Sequence, residues 1–194
     1  MKKSILVLTA MASAVTITLI ACQSSKTSDV AKEITQDSLV KRGSYLVNAV
    51  GCDDCHSPKK FGPNGPELIS ELRFSGFPAE GKLPKVDSNV VKGGWVMMNH
   101  DLTSAVGPWG ASFAANISSD ETGIGNWSEE QFIRALREGK MKGLSEGRPM
   151  LPPMPWFNIR NFSDVDLRAI FAYLKTSKPV HNVVPGPKPM SELK

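Results

Sequence analysis

The sequence is short of cysteine, histidine and tyrosine, with three, three and two of them in 194 residues. Cys22 stands alone, while Cys52 and Cys55 share one short segment. No second pair exists to build a multi-disulfide scaffold or a four-cysteine zinc site. Long apolar runs are scarce too. The one sustained run, Ile5 to Ala21, is short for a hydrocarbon core that takes about 20 apolar residues to span. Charge of one sign is nowhere gathered: 23 basic and 19 acidic residues are interspersed, and Lys2 and Lys3 supply half of the net charge of +4. Nucleic acid is therefore not an expected partner.

Met1-Lys2-Lys3 followed by the apolar run to Cys22 has the layout of an export signal. Its last residues, Leu19-Ile20-Ala21-Cys22, resemble the lipobox of bacterial lipoproteins, which implies cleavage before Cys22 and a diacylglyceryl group on its sulfur. Residues 1–21 are then a lipoprotein signal peptide. From Gln23 to about Asp37 the chain is polar and rich in Ser, Lys and Thr. Residues 22–37 thus read as a flexible tether from the lipidated Cys22, with a reach of roughly 20 Å. Several acyl chains hold a protein stably on a bilayer, so the expected location is the bacterial cell envelope, facing the periplasm. Gln23 is not the aspartate that resembles an inner-membrane retention signal, which favours the outer membrane.

Residues 38–194 suit one domain. Three helical patterns mark it. The first runs from Ser38 to Val50, with Leu39, Leu46 and Ala49 on one side. The second starts at Ser128, with Gln131 completing a capping box, buries Phe132, Ile133 and Leu136, and ends at Gly139. The third starts at Ser163 with Asp166, and Leu167, Ile170, Phe171 and Leu174 follow at i, i+3, i+4 and i+7. Between the first two, Ser57 to Asn126 is an irregular insertion rich in Gly and Pro, in which Leu72 to Phe77 and Val90 to Met98 are candidates for a small hairpin. A Pro-rich tail follows at Pro185 to Pro189. The expected fold class is all-α.

Cys52-Asp53-Asp54-Cys55-His56 is a C-x-x-C-H motif, the attachment pattern of haem c. One turn of chain presents both thiols to the two vinyl groups, and the adjacent imidazole lies beneath the iron as proximal ligand. A thioredoxin-like pair would sit in a βαβ pattern, whereas Tyr45 to Val50 before the motif has helical character. A structural zinc ion would need four ligands. A haem also accounts for the insertion, because irregular connections of that length are uncommon unless something other than secondary structure organises them.

A thioether on the far side of the iron would raise the reduction potential and close the iron to other ligands. Met97, Met98, Met150 and Met154 are the candidates. Met154 is preferred, because it lies in Leu151-Pro152-Pro153-Met154-Pro155-Trp156, where prolines hold the backbone extended. Met150 is its rival, and either can instead fill core space. His100 and His181 are lone histidines in loops, for which a surface role is commoner.

Gly43-Ser44-Tyr45-Leu46, the C-x-x-C-H motif, Ala115-Asn116-Ile117, Thr122 to Trp127, Arg148-Pro149 and Pro152 to Trp156 together resemble class I c-type cytochromes. The resemblance is strongest to the cytochrome modules of periplasmic alcohol and aldehyde dehydrogenases, and it spans nearly the whole chain after the tether. It implies three main helices around one haem c, with first and last crossing near Gly43, Tyr45 and Tyr173. It also implies that His56 and Met154 bind the iron and that the protein is an electron carrier rather than an enzyme; Arg148 is a candidate partner for a haem propionate, with a solvated arginine the commoner alternative. Trp109, Trp127 and Asn116 could border the haem, but packed indoles and a turn asparagine that bonds its own backbone are the stronger reading of them. Expected partners are a dehydrogenase, another cytochrome or a terminal oxidase. Two other functions fit the motif: a peroxidase-like haem enzyme, which in dihaem form needs a second C-x-x-C-H, and a gas or redox sensor in which the distal methionine is displaced.

Overall fold

Apolar residues at helical spacing, each set behind a hydroxyl cap, fold as helices in the computed structural model, which describes residues 34–193. The expected signal peptide, Cys22 and most of the tether lie outside those residues. In chain order the helices are α1 (Gln36–Val50), α2 (Cys52–His56), α3 (Ser88–Lys92), α4 (Glu129–Glu138), α5 (Trp156–Ile159) and α6 (Asp164–Leu174). The strands are β1 (Lys59–Gly62), β2 (Gly65–Leu68), β3 (Met97–Met98), β4 (Ser104–Gly107) and β5 (Gly110–Phe113). The all-α expectation is thus corrected: a two-stranded and a three-stranded antiparallel sheet, ordered β1-β2 and β3-β4-β5, accompany the three main helices.

The three expected helices are α1, α4 and α6. Ser163 caps α6, its hydroxyl accepting from the Asp166 N–H at 3.1 Å and donating to the Asp166 carboxylate at 2.7 Å. Ser128 caps α4 by accepting from the Gln131 N–H at 3.1 Å. The Gln131 amide does not reach back to complete the box; it donates to the Lys142 carbonyl at 2.8 Å. Gly139 ends α4 with φ +63°, a left-handed conformation suited to glycine. Helix α1 begins two residues earlier than expected, at Gln36, because Thr35 caps it.

Helices α1 and α6 make the main contact of the fold. A Cβ at Gly43 would overlap the Ala169 carbonyl and meet the Tyr173 Cβ, so only glycine lets the two backbones approach this closely. Val47, one turn on, is fully buried, while Ala49 is exposed. The buried stripe of α1 is therefore Gly43 and Val47, with Leu46 partly buried beside it. Tyr45 is 71% exposed and turns away from the crossing that the resemblance implied. Val47, Phe132, Leu136, Leu167, Ile170, Phe171 and Leu174 join Phe74 and Ile124 in one core. Each such aliphatic or aromatic side chain contributes about 1.5–3 kcal/mol on burial.

The expected hairpin does not form. Val90 lies in α3, and Met97–Met98 pair with Val106 and Ala105 of β4. The segment around Phe74 stays irregular because its polar groups serve other partners. Phe74 N–H donates to the Ser57 hydroxyl at 2.8 Å, Gly76 N–H to the His56 carbonyl at 2.8 Å and Phe77 N–H to the Ala114 carbonyl at 2.9 Å. The Phe74 carbonyl in turn accepts from Ile117 N–H at 2.8 Å. Gly76, at φ +74°, has no room for a Cβ against the carbonyls of Ala114 and Ala115. The segment is thus sandwiched between the C-x-x-C-H turn and residues 114–118. Val91, Val106, Ala111 and Leu193 form a second, smaller core, onto which the Pro-rich tail is tied by reciprocal Ala111 and Lys188 hydrogen bonds.

Candidate functional site

Cys52, Cys55 and His56 occupy α2, a single short helix entered through Gly51 at φ +76°. Both thiols are free and half-buried. Burial, reinforced by the Asp53 charge, pushes the Cys52 thiol up to about 11, and burial raises Cys55 as well, so both are held as neutral thiols. His56 Nδ1 lies 2.7 Å from the Ala115 carbonyl. A carbonyl only accepts, so Nδ1 carries the proton and Nε2 is left with its lone pair. Burial lowers the His56 pKa, against the opposing Ala115 bond, and the ring is neutral at ordinary pH.

This is a donor set that fits an iron porphyrin. A ligating histidine ordinarily gives its other N–H to a carbonyl or carboxylate, which fixes the ring and its tautomer. The chain builds that arrangement at His56 and places two unpaired thiols on the same turn. Cys52 and Met154 pack against the same apolar core, so the motif and the Pro-Met-Pro loop meet one continuous apolar surface.

The loop carrying Met154 is anchored on both sides. Ser112 of β5 donates to the Pro152 carbonyl at 2.6 Å and accepts from the Trp109 indole N–H at 3.2 Å. Met150 N–H donates to the Gly139 carbonyl at 2.7 Å, and Gly139 lies under the Trp156 ring. Met154 and Met150 are both half-buried, but Met154 is the one in contact with the main core.

The remaining candidates separate clearly. Arg148 is exposed and its guanidinium donates to the neighbouring Pro149 carbonyl at 2.9 Å. His100 is exposed and stacks edge-on against Phe61 at 5.9 Å, and His181 lies 3.5 Å from the Asp120 carboxylate. Asn116 is buried; its side-chain oxygen accepts from Ser118 N–H at 2.9 Å, and its amide donates to the Val180 carbonyl at 2.9 Å, a turn and tail tie. Trp127 packs on the main core. A cavity of about 510 Å³ lies elsewhere, between Phe77, Phe113, Lys85 and Leu193, and is lined by none of the expected haem-site residues.

Three functional contacts were not legible in the sequence. The Ala115 carbonyl is a backbone group with no residue signal. Asp53, inside the motif, accepts from Arg73 at 2.6, 3.0 and 3.1 Å and from the Ser57 hydroxyl at 2.6 Å. Arg73 also reaches the Asn48 side-chain oxygen at 3.1 Å and the Tyr173 hydroxyl at 3.3 Å, joining the motif to α1 and α6. The Lys59 ammonium is held by main-chain carbonyls around α2.

The sequence is similar to those of cytochrome subunits of dehydrogenases. Residues of this chain are 31% identical over 157 positions to the gluconate 2-dehydrogenase cytochrome c subunit of Pantoea cypripedii, covering 80% of this chain and 26% of that protein. They are 29% identical over 151 positions to the fructose dehydrogenase cytochrome subunit of Gluconobacter japonicus, covering 77% and 23%. The chain matches a cytochrome c module. An 80-residue stretch of the module is also 42% identical to a nicotinate dehydrogenase subunit of Pseudomonas putida, covering 41% of this chain and 6% of that protein. The module spans about a quarter or less of the length of the curated relatives it matches. No family model matches it.

Proposed function

We propose that the chain binds one haem c through thioethers to Cys52 and Cys55, with His56 and Met154 as axial ligands, and carries single electrons for a dehydrogenase in the bacterial envelope. The observation that carries this reading is the fixed His56 tautomer, Nδ1–H on the Ala115 carbonyl, beside two free thiols. The names of the relatives, cytochrome subunits of gluconate, fructose and quinone-linked alcohol dehydrogenases, support a dehydrogenase as donor. Another cytochrome or a terminal oxidase is the acceptor class.

Bound there, the haem supplies a reversible one-electron couple. The protein's part is to hold the ligands still. Ala115 keeps the His56 ring from rotating, Ser112 and Gly139 hold the chain leading into Met154 at Pro152 and Met150, and the core around Phe74 and Ile124 excludes water. Little rearrangement then accompanies each change of charge. Arg148, exposed beside Pro149, is the side chain that would pair with a haem propionate. The chain itself is the electron carrier, and catalysis belongs to its partner.

Membrane attachment completes the proposal: residues 1–21 direct export, Cys22 is lipidated, the tether that follows ends at the Thr35 cap of α1 rather than at residue 37, and the outer membrane is the favoured surface. Among the described residues no helix is long and apolar enough to cross a membrane. Labelled palmitate should enter the wild-type protein and not Cys22→Ser, which should leave the membrane fraction.

The deciding experiment is expression in a host that matures c-type cytochromes, followed by a haem stain after denaturing electrophoresis. Colour should stay with the polypeptide, and the oxidised protein should show a sulfur-to-iron charge-transfer band. Met154→Ala should lose that band while Met150→Ala keeps it. A colourless protein whose motif thiols alkylate freely refutes the assignment; a band that survives Met154→Ala and vanishes in Met150→Ala refutes the choice of distal ligand.

A further inference from the structure

Lys59 occupies a position that haem attachment alone does not require. It is the first residue of β1, three residues beyond His56, and its side chain turns back under α2. The ammonium donates to the carbonyls of Asp53 at 3.0 Å, Asp54 at 2.8 Å, Ser57 at 2.8 Å and Asp101 at 3.0 Å. Three N–H donors shared among four converging carbonyls give the site the form of a small cation cage, closed by a charge that belongs to the chain. Asp101 lies 42 residues away in sequence, and pairing of Lys59 with Leu68 fixes its backbone, so tertiary structure sets where the charge sits.

That charge is not cancelled by a neighbour. Among the described residues Lys59 makes no ion pair. The Asp53 carboxylate is taken by Arg73 and Ser57. The Asp101 carboxylate is turned to the Asn99 amide at 2.7 Å and the Thr103 hydroxyl at 2.7 Å. Asp54 is exposed to solvent. Carbonyl dipoles hold the ammonium in place against the attachment turn without neutralising it.

We propose that Lys59 is a positioning and tuning residue: an internal cation that raises the reduction potential of the group bound at Cys52, Cys55 and His56. This rests on the haem assignment proposed above. A fixed positive charge favours the oxidation state with one positive charge fewer, which is the reduced state. The effect is stronger for a partly buried charge than for one in water, where the dielectric screens it.

The test is a redox titration of haem-loaded full-length protein, comparing Lys59→Met with Lys60→Met. Both remove one positive charge from adjacent residues, but Lys60 is a solvent-exposed side chain 3.9 Å from Glu67. Lys59→Met should lower the midpoint potential by several times the change in Lys60→Met, and Lys59→Arg should recover most of it. Equal shifts in the two Met variants, or no fall in Lys59→Met, overturn the proposal. Because Lys59→Met removes the cation from the carbonyl cage, Lys59→Gln provides a second neutral variant. If both neutral variants lose covalent haem while Lys59→Arg keeps it, Lys59 serves folding of the turn and the tuning role is overturned. Failure of the haem assignment itself is read separately, from a colourless wild-type protein.

Discussion

Replacing Asp53 by Asn removes one charge from the centre of the motif and leaves the shape of the side chain nearly unchanged. Asp53 is 13% exposed and accepts three contacts from the Arg73 guanidinium and one from the Ser57 hydroxyl. Breaking a buried pair by neutralising one partner costs about 3–5 kcal/mol. Arg73, however, is 34% exposed, so water screens the pair and can take up part of its freed donors, and its bonds to Asn48 and Tyr173 persist. The expected loss is therefore about 2 kcal/mol. With a urea slope of about 2 kcal/mol per molar for a small domain, the unfolding midpoint should fall by about 1 M. The control is Asp37→Asn, which breaks the Lys41 pair on the exposed face of α1, with side chains 77% and 74% exposed. That midpoint should barely move. Asp53→Asn combined with Arg73→Met should be less destabilising than the sum of the two single changes, since both remove one interaction. A midpoint no lower than that of Asp37→Asn, or strict additivity, would falsify the view that this pair fastens the motif to α1 and α6.

Gly43→Ala should destabilise the domain by about 1–3 kcal/mol or more, as overpacked cores do, because the new methyl overlaps the Ala169 carbonyl; thermal unfolding measures it, and an unchanged Tm refutes the close crossing. Ser112→Ala removes the 2.6 Å bond to the Pro152 carbonyl and should cost about 1 kcal/mol. In haem-loaded protein it should also speed cyanide binding, and an unchanged rate would show that the loop is held without Ser112. The Arg42 hydrogen bond holds the Asp166 carboxyl below its ordinary value of 3.8. A depressed folded pKa contributes stability that is full above 3.8 and is lost as pH falls through the folded value. Acid unfolding should accordingly be shallower below about pH 4 in Asp166→Asn, and parallel acid limbs in the two proteins would refute the link.

Much of the site was readable because its chemistry is local. The spacing of Cys52, Cys55 and His56 lies within one turn, and such a turn presents its side chains together wherever it is placed. The same holds for α4 and α6, where a hydroxyl, a carboxylate or amide and an apolar stripe fall within ten or so residues. The Asn116 turn was legible on the same grounds. The buried stripe of α1 was misread, with Val47 missed and Ala49 included, because Tyr45 to Val50 offers apolar residues on more than one face. Only the partner helix decides which face is covered, and Gly43 makes that choice by admitting Ala169. The expected hairpin failed for a related reason. Residues 72–77 have strand-like composition, but their N–H groups bind His56, Ser57 and Ala114 instead.

By itself the sequence determined that Cys52, Cys55 and His56 share one turn and that α4 and α6 start behind Ser128 and Ser163. Short-range covalent geometry and hydrogen bonding suffice for those. Tertiary structure alone decided the tautomer of His56, the pairing of Asp53 with Arg73 and the seating of Lys59 on the Asp101 carbonyl. Each joins groups between 20 and 59 residues apart, and a backbone carbonyl carries no residue identity by which a sequence could announce it.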